Sequence, residues 1–126
     1  MKLQKILSRF QKLHKREIHL SLDRIKALCQ KLGSPEDKMR VISVVGTNAK
    51  FSTVAGMFSI LKEANIKCNV YTSPHILKIN ERFVFNNEEL SDDELAKLFE
   101  EVEEINGNQS ATVFEILTAS FLYKAA

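Results

Sequence analysis

Six residues, Arg40-Val41-Ile42-Ser43-Val44-Val45, closed by Gly46, constrain the fold of this chain more than any other stretch. Four of the six are β-branched, and apolar and polar residues do not alternate. Such a run reads as a strand buried on both faces, which implies a parallel sheet. A helical pattern follows from Ser52 or Thr53 to about Asn65, with Val54, Met57, Phe58 and Leu61 on one side. A second short strand, Lys67 to Tyr71, comes next. Residues 40–72 thus form one strand-helix-strand unit, long enough for a parallel crossover.

The flanking segments read mostly as helix. Two helices are expected over 2–16 and 21–32. Ser21 caps the second, Leu22, Ile25, Leu28 and Leu32 form its apolar stripe, and Gly33-Ser34-Pro35 stops it. Arg82 to Leu90 reads as a small hairpin, because Asn86 and Asn87 tolerate the positive φ of a tight turn. Ser91 and Glu94 have capping-box spacing, Leu95, Leu98, Phe99, Val102 and Ile105 mark a buried stripe, and Gly107 ends that helix. The last segment, Thr112 to Ala126, is helical and apolar almost all round, with Phe114, Ile116, Leu117, Phe121 and Leu122. A helix of that kind needs cover on several sides. The rest of the chain does not look sufficient to supply it, so the expectation is that these residues are the N-terminal part of something longer.

At 126 residues the chain is the size of one domain, and 44% hydrophobic with 27% charged residues is the balance of a globular protein with a core. No apolar run approaches the roughly 18 residues of a membrane helix, and the N-terminus lacks a signal-peptide core, so a cytoplasmic protein without a membrane partner is expected. The net charge of +2 conceals an asymmetry: residues 1–31 carry a net +7 and residues 81–104 a net −8. The N-terminal lysines recur beside Leu3, Ile6, Leu7, Phe10 and Leu13 at helical spacing, which reads as the wet face of an amphipathic helix rather than a nucleic-acid surface. His14 and His19 belong to no ligand pattern. Cys29 and Cys68 have neither metal-ligand spacing nor the density of a disulfide scaffold, so reduced, part-buried thiols are expected and zinc is excluded.

Chemistry concentrates in Gly46-Thr47-Asn48-Ala49-Lys50-Phe51-Ser52-Thr53. A strand that passes through small polar residues to a Lys at a helix N-terminus makes an anion site, since free N–H groups and the helix dipole point to the same place. The general P-loop pattern is not met: Val44 and Ala49 occupy its two Gly positions, and Phe51 stands where Ser or Thr should follow the Lys. From these residues alone, a phosphate site and a polar turn with an exposed lysine both remain open.

Four blocks taken together are more specific. The residues from Val41 to Thr53, then Tyr71-Thr72-Ser73-Pro74-His75, Glu81-Arg82-Phe83, and Thr112-Val113-Phe114-Glu115-Ile116-Leu117-Thr118 resemble, in order and spacing, the folylpolyglutamate synthase and dihydrofolate synthase family of the Mur ligase superfamily. There the loop usually reads Gly-Thr-Asn-Gly-Lys-Gly-Ser and is followed by Ser-Pro-His, Glu-Arg and Phe-Glu-x-x-Thr. Ser21-Leu22-Asp23-Arg24-Ile25 and Leu32-Gly33-Ser34-Pro35 are similar to the family's lead-in, so the resemblance covers about residues 20–126.

The resemblance implies an α/β fold: the N-terminal part of a P-loop type, three-layer domain with a parallel sheet, preceded by two helices. Residues 1–38 would be the helical lead-in and 39–126 the P-loop core of a Mur-ligase-type ATP-binding domain. The implied function is ATP-dependent ligation of L-glutamate to dihydropteroate or a folate through an acyl phosphate, with ATP and Mg²⁺ as cofactors, in a full-length monomer. Thr47, Asn48, Ala49, Lys50, Phe51, Ser52 and Thr53 would bind ATP, with Lys50 as the catalytic counter-charge. Ser73 and Glu115 would be magnesium ligands, a hard oxygen set that suits the ion beside phosphate. Glu115 lies among apolar neighbours, where an idle charge would be costly to bury. Pro74, His75 and Arg82 would border the pterin substrate, Arg82 meeting a carboxylate. A further magnesium-binding histidine, a carbamylated lysine and the glutamate-binding C-terminal domain would lie beyond Ala126, leaving this chain an inactive piece. If the position before Lys50 is left-handed, Ala49 costs about 1–2 kcal/mol that Gly would not. The Phe51 ring would crowd the phosphate mouth. The rival is a non-catalytic, degenerate P-loop module that binds a nucleotide or a partner.

Overall fold

The computed structural model describes residues 2–13, 21–107 and 109–126, so His14, His19 and the end of the first expected helix lie outside it. The described residues form five helices and one small antiparallel sheet, in two compact units.

The first unit takes Met1–Met39 and Ser91–Ala126. It contains helices α1 (Lys2–Leu13), α2 (Asp23–Lys31), α4 (Asp92–Asn106) and α5 (Val113–Ala125), with a 3₁₀ turn at Pro35–Lys38. Leu3, Ile6 and Phe10 recur on one face of α1 and are buried, and α1 packs against α4. Leu95, Phe99 and Val102 of α4 are fully buried, and the Phe10 and Phe99 rings lie 5.8 Å apart at a 55° tilt. At the edge of this contact Lys2 pairs with Glu100 at 2.7 Å, and Arg9 holds both carboxylate oxygens of Glu103.

Local signals explain where these helices start and stop. The Glu94 N–H donates to Ser91 Oγ (3.3 Å) while the Ser91 N–H donates to Glu94 Oε2 (2.9 Å), the expected capping box. Gly107 ends α4 at φ 66°, a backbone that side chains disfavour. The cap expected from Ser21 is not made: Leu22 precedes α2 and no side chain caps it, while Ser21 Oγ, one position earlier, accepts from the Asp23 N–H at 3.1 Å. Within the stripe expected on α2, Leu28 and Leu32 are buried but Leu22 is exposed. Cys29 is buried and Cys68 half-buried, both as free thiols. Burial pushes the Cys29 thiol up to about 11, with nearby Glu36 adding to the effect.

The C-terminal helix is covered in part within its own unit, where α5 packs against α2, α4 and the Pro35–Lys38 turn while Phe121 and Leu122 stay half-buried. Ile116, Leu117 and Ala119 are buried, the buried Ser120 hydroxyl is satisfied by the Ile116 carbonyl at 2.7 Å, and Phe114 stands out to solvent.

The second unit is Arg40–Leu90. It holds α3 (Lys50–Glu63) and strands β1 (Val70–Tyr71), β2 (Phe83–Phe85) and β3 (Glu88–Glu89), with a 3₁₀ turn at Ile79–Arg82. β1 pairs antiparallel with β2 (Val70↔Val84, Tyr71↔Phe83), and β2 pairs antiparallel with β3 (Val84↔Glu89, Phe85↔Glu88). Asn86 and Asn87 turn the hairpin at φ 51° and 71°, as their residue type foretells. Ile79, Phe83, Phe85 and Leu90 are buried in this unit, and the buried Asn80 amide donates to the Leu90 carbonyl at 2.9 Å.

The parallel P-loop sheet is not there: among the described residues the one sheet is three-stranded and antiparallel. Residues 40–45 form no strand, and Val41, Ile42 and Val45 are 60%, 68% and 88% exposed. β-branched side chains state a preference for a pleated, buried surface, but a strand exists only where its N–H and C=O groups find a ladder. The partner expected for this run, residues 67–71, shortens to β1 and takes its ladder from the strand that follows it. An antiparallel pair closes through the short segment 72–82, without a crossover. The three-layer α/β class therefore gives way to a mostly helical chain with a small antiparallel sheet.

Candidate functional site

The loop before α3 adopts a compact form set by two backbone choices. Gly46 has φ 152°, and Ala49, the residue just before the helix, is left-handed at φ 60°, ψ 12°. The position before Lys50 thus does require the conformation that Gly takes freely, and Ala49 bears a strain of about 1–2 kcal/mol. Lys50 opens α3 and turns its ammonium back to donate to the Gly46 carbonyl, so the cation lies over the loop. Thr53 fastens the first turn, its N–H and Oγ1 both donating to the Ala49 carbonyl at 3.0 and 2.9 Å. Thr47, Asn48, Phe51, Ser52 and Thr53 are exposed and Lys50 is half-buried. Exposed N–H groups of a first helical turn beside a lysine are what an anion needs.

In the same unit a second cluster gathers Ser73, His75 and Arg82. The Arg82 guanidinium donates through Nε to His75 Nδ1 (2.8 Å) and through Nη1 to Ser73 Oγ (3.2 Å). The Ser73–Pro74 peptide bond is cis. Thr72 joins the same turn, its hydroxyl donating to the Glu81 carbonyl at 3.3 Å.

Glu81 organises this turn, a role its place in the Glu-Arg pair does not announce. Its Oε2 accepts from the Ile76 N–H (2.8 Å), and Oε1 from those of Leu77 (2.8 Å) and Lys78 (2.7 Å). The bonds from Ile76 and Lys78 hold its carboxyl below the ordinary glutamate value of 4.5. A lowered carboxyl stabilises the folded state above the unfolded pKa, and that stability is lost as pH falls through the folded one. Glu81→Gln is therefore expected to be less stable than the parent at pH 7 and to lose the difference below about pH 5, flattening the acid limb of the unfolding curve. Urea midpoints measured across pH would show this, and parallel acid limbs would disprove it.

Glu115 stands in the other unit, at the start of α5. Its side chain is 13% exposed, and it is not idle. Oε2 accepts from the Thr112 N–H at 2.7 Å, while the Glu115 N–H donates to Thr112 Oγ1 at 3.1 Å, a capping box. Arg24 of α2 donates through Nε to Oε2 (3.1 Å) and Oε1 (3.3 Å), and through Nη2 to Oε1 (3.2 Å). Burial raises the carboxyl, but Thr112 and Arg24 outweigh it and hold it below its ordinary value. Arg24 is the partner that periodicity could not reveal; the signal for it was a cation in the first turn of a helix, where the dipole disfavours one.

Ser73 and Glu115 carry the hard oxygens that Mg²⁺ takes, but the two belong to different units and each is already engaged, Ser73 by Arg82 and Glu115 by Arg24 and Thr112. Among the described residues no group of three or more His, Cys, Asp or Glu gathers into a metal cage, and no helix is long and apolar enough to cross a membrane.

No family model matches the chain. It is 42% identical over 111 residues to the dihydrofolate synthase/folylpolyglutamate synthase of Bacillus subtilis, covering 82% of this chain and 26% of that protein. With the Escherichia coli protein of the same name it shares 36% over 122 residues, 95% of this chain and 29% of the relative. Among solved structures, E. coli FolC in complex with DHPP and ADP superposes at a TM-score of 0.88 with 36% identity, over 96% of this chain and 29% of that one. The bifunctional Yersinia pestis enzyme complexed with AMPPNP and Mn ion gives 0.87 with 34% identity, over 95% and 29%. The chain spans about a quarter of the length of these relatives. By homology across most of its 126 residues, it belongs to the dihydrofolate synthase/folylpolyglutamate synthase family.

Proposed function

We propose that these residues are the phosphate-binding part of an ATP-dependent ligase that joins L-glutamate to dihydropteroate or a folate, within a Mur-ligase-type ATP-binding domain. The observation that carries this reading is the superposition, across nearly the whole chain, on a relative whose structure holds DHPP and ADP. Such a reaction moves the ATP γ-phosphoryl to the substrate carboxylate, and glutamate nitrogen then displaces phosphate from the acyl phosphate to form the amide. The protein's work is positioning and charge stabilisation. Thr47, Asn48, Ala49, Phe51 and Ser52 wrap the phosphates with loop and helix N–H groups, Thr53 fastens that turn through the Ala49 carbonyl, and the Lys50 ammonium exchanges the Gly46 carbonyl for a phosphate oxygen. Mg²⁺ would supply neutralisation of the phosphate charge, and Ser73 and Glu115 are each proposed to offer it an oxygen. Arg82 fixes the Ser73 hydroxyl and the His75 ring, and with Pro74 gives the turn a set shape on the pterin side.

The test is a graft of residues 1–126 in place of the matching segment of the B. subtilis enzyme. The graft is expected to form the glutamyl amide from dihydropteroate, ATP and labelled glutamate, whereas the 126-residue chain alone forms none. A graft that folds and binds ATP but makes no amide would overturn the ligase reading in favour of a nucleotide-binding module.

A further inference from the structure

We infer that residues 41–66 form a docking surface, and that its occupant is the polypeptide which the folate-ligase relatives carry beyond the quarter of their length that this chain matches. The inference builds on the family relationship and does not need the ligase activity proposed above. No residue in 40–78 is buried, and the buried side chains of this unit begin only at Ile79. Yet the stretch is rich in large apolar residues. Val41, Ile42, Val45, Phe51, Ile60 and Ile66 are all exposed, Ile42 at 68% and Ile60 at 70%. α3 has 14 residues, none of them buried, and packs closely on no other element among the described residues. A helix of that length is marginal in water unless an apolar face is covered. Apolar exposure of this extent marks an interaction surface.

The occupant follows from the extent of what is uncovered. From Phe51 through Val54, Met57, Phe58 and Leu61 to Ile60, the apolar residues of α3 take up about half of its circumference. Val41 and Ile42, adjacent in the chain, are both exposed as well. Cover on several sides needs more than the single face that a second copy of this chain would offer in a symmetric pair. E. coli FolC holds a segment that superposes on 96% of this chain, and that segment is 29% of FolC. The rest of such a chain is long enough to surround the stretch. The phosphate-loop residues 46–53 join the two uncovered parts, so an occupant that covers both also fixes the loop between them.

The test is thiol labelling with a maleimide, read site by site by peptide mass spectrometry. In the 126-residue chain, Ile42→Cys and Ile60→Cys are expected to react as fast as Glu63→Cys, an exposed polar position of α3. In the graft of residues 1–126 into the B. subtilis enzyme, both should slow by about a hundredfold while Glu63→Cys keeps its rate. Equal rates in chain and graft at positions 42 and 60 would overturn the inference. Slow reaction in the chain alone would overturn it too: slowing that grows with protein concentration would give the surface to a second copy, and slowing independent of concentration to the first unit of the same molecule. If the cysteine variants keep the graft from folding, hydrogen exchange of the parent decides, with amides of 41–45 and α3 protected in the graft and open in the chain; equal protection in both would refute the inference. A graft that shields both positions but makes no amide leaves this inference standing and removes the ligase reading, whereas amide formation with both positions still reactive does the reverse.

Discussion

Lys50→Ala is expected to lower glutamate-ligase turnover of the grafted enzyme by about a hundred- to a thousandfold, with a smaller rise in KM for ATP. Lys50 is the only cation between Gly46 and Thr53, and its ammonium already lies over the loop, bound to the Gly46 carbonyl. Neutral hydroxyls and amides can orient a phosphate, but only Lys50 in this loop can offset the charge that builds as the γ-phosphoryl leaves. An interaction that strengthens toward the transition state acts on turnover more than on binding. The side chain packs in no core, so the unfolding midpoint should move little. Turnover within a few fold of the parent would show that Lys50 serves the loop's shape and not the phosphoryl transfer. Lys50→Arg separates the two roles further: it keeps the charge on a longer, planar head that cannot reach back to Gly46 in the same way.

What could be read from residues alone was whatever is settled within a few positions of chain. The Ser91 and Glu94 box, the Gly107 stop and the Asn86-Asn87 turn are local geometry, and each residue type carries its own reason. The strain at Ala49 was legible only as a condition, because Ala49 stands where the resembling loops have Gly, and the left-handed backbone found there meets that condition. Pairing was not. The run 40–45 has the side chains of a buried strand, yet its ladder depends on a distant partner, and the nearer strand β1 closes with β2 instead. Cover for α5 was legible only as a need: α2 and α4, which meet part of it, lie in remote segments, and Phe114 stays exposed. The site shows both cases. The motif residues Ser73, His75 and Arg82 do gather in one turn, whereas Arg24, 91 positions from Glu115, could be found only in three dimensions.

The contact between α1 and α4 sets the largest stability effect. Phe99→Ala is expected to cost about 3–5 kcal/mol, since it removes a wholly buried ring and leaves a cavity that its neighbours fill only in part. The loss should fall unevenly. α1 packs chiefly on α4, and Phe10, its most buried side chain, faces Phe99 at 5.8 Å in a tilted pair of the kind that adds about 0.5–1.5 kcal/mol beyond area. What remains at the edge is Lys2 with Glu100 and Arg9 with Glu103, and exposed ion pairs contribute only about 0–1 kcal/mol each. Those pairs cannot hold α1 once the ring is gone. Hydrogen exchange should therefore show the α1 amides losing protection in Phe99→Ala well before those of α5, which keeps its contacts with α2 and the Pro35–Lys38 turn. Phe99→Leu, which retains most of the volume, should cost less than half as much. A double cycle with Phe10→Ala should fall short of additivity, because the second truncation removes a partner already lost. Equal loss of protection across α1 and α5 would mean that the unit unfolds as one body, and α1 would then be held by more than the Phe10–Phe99 contact.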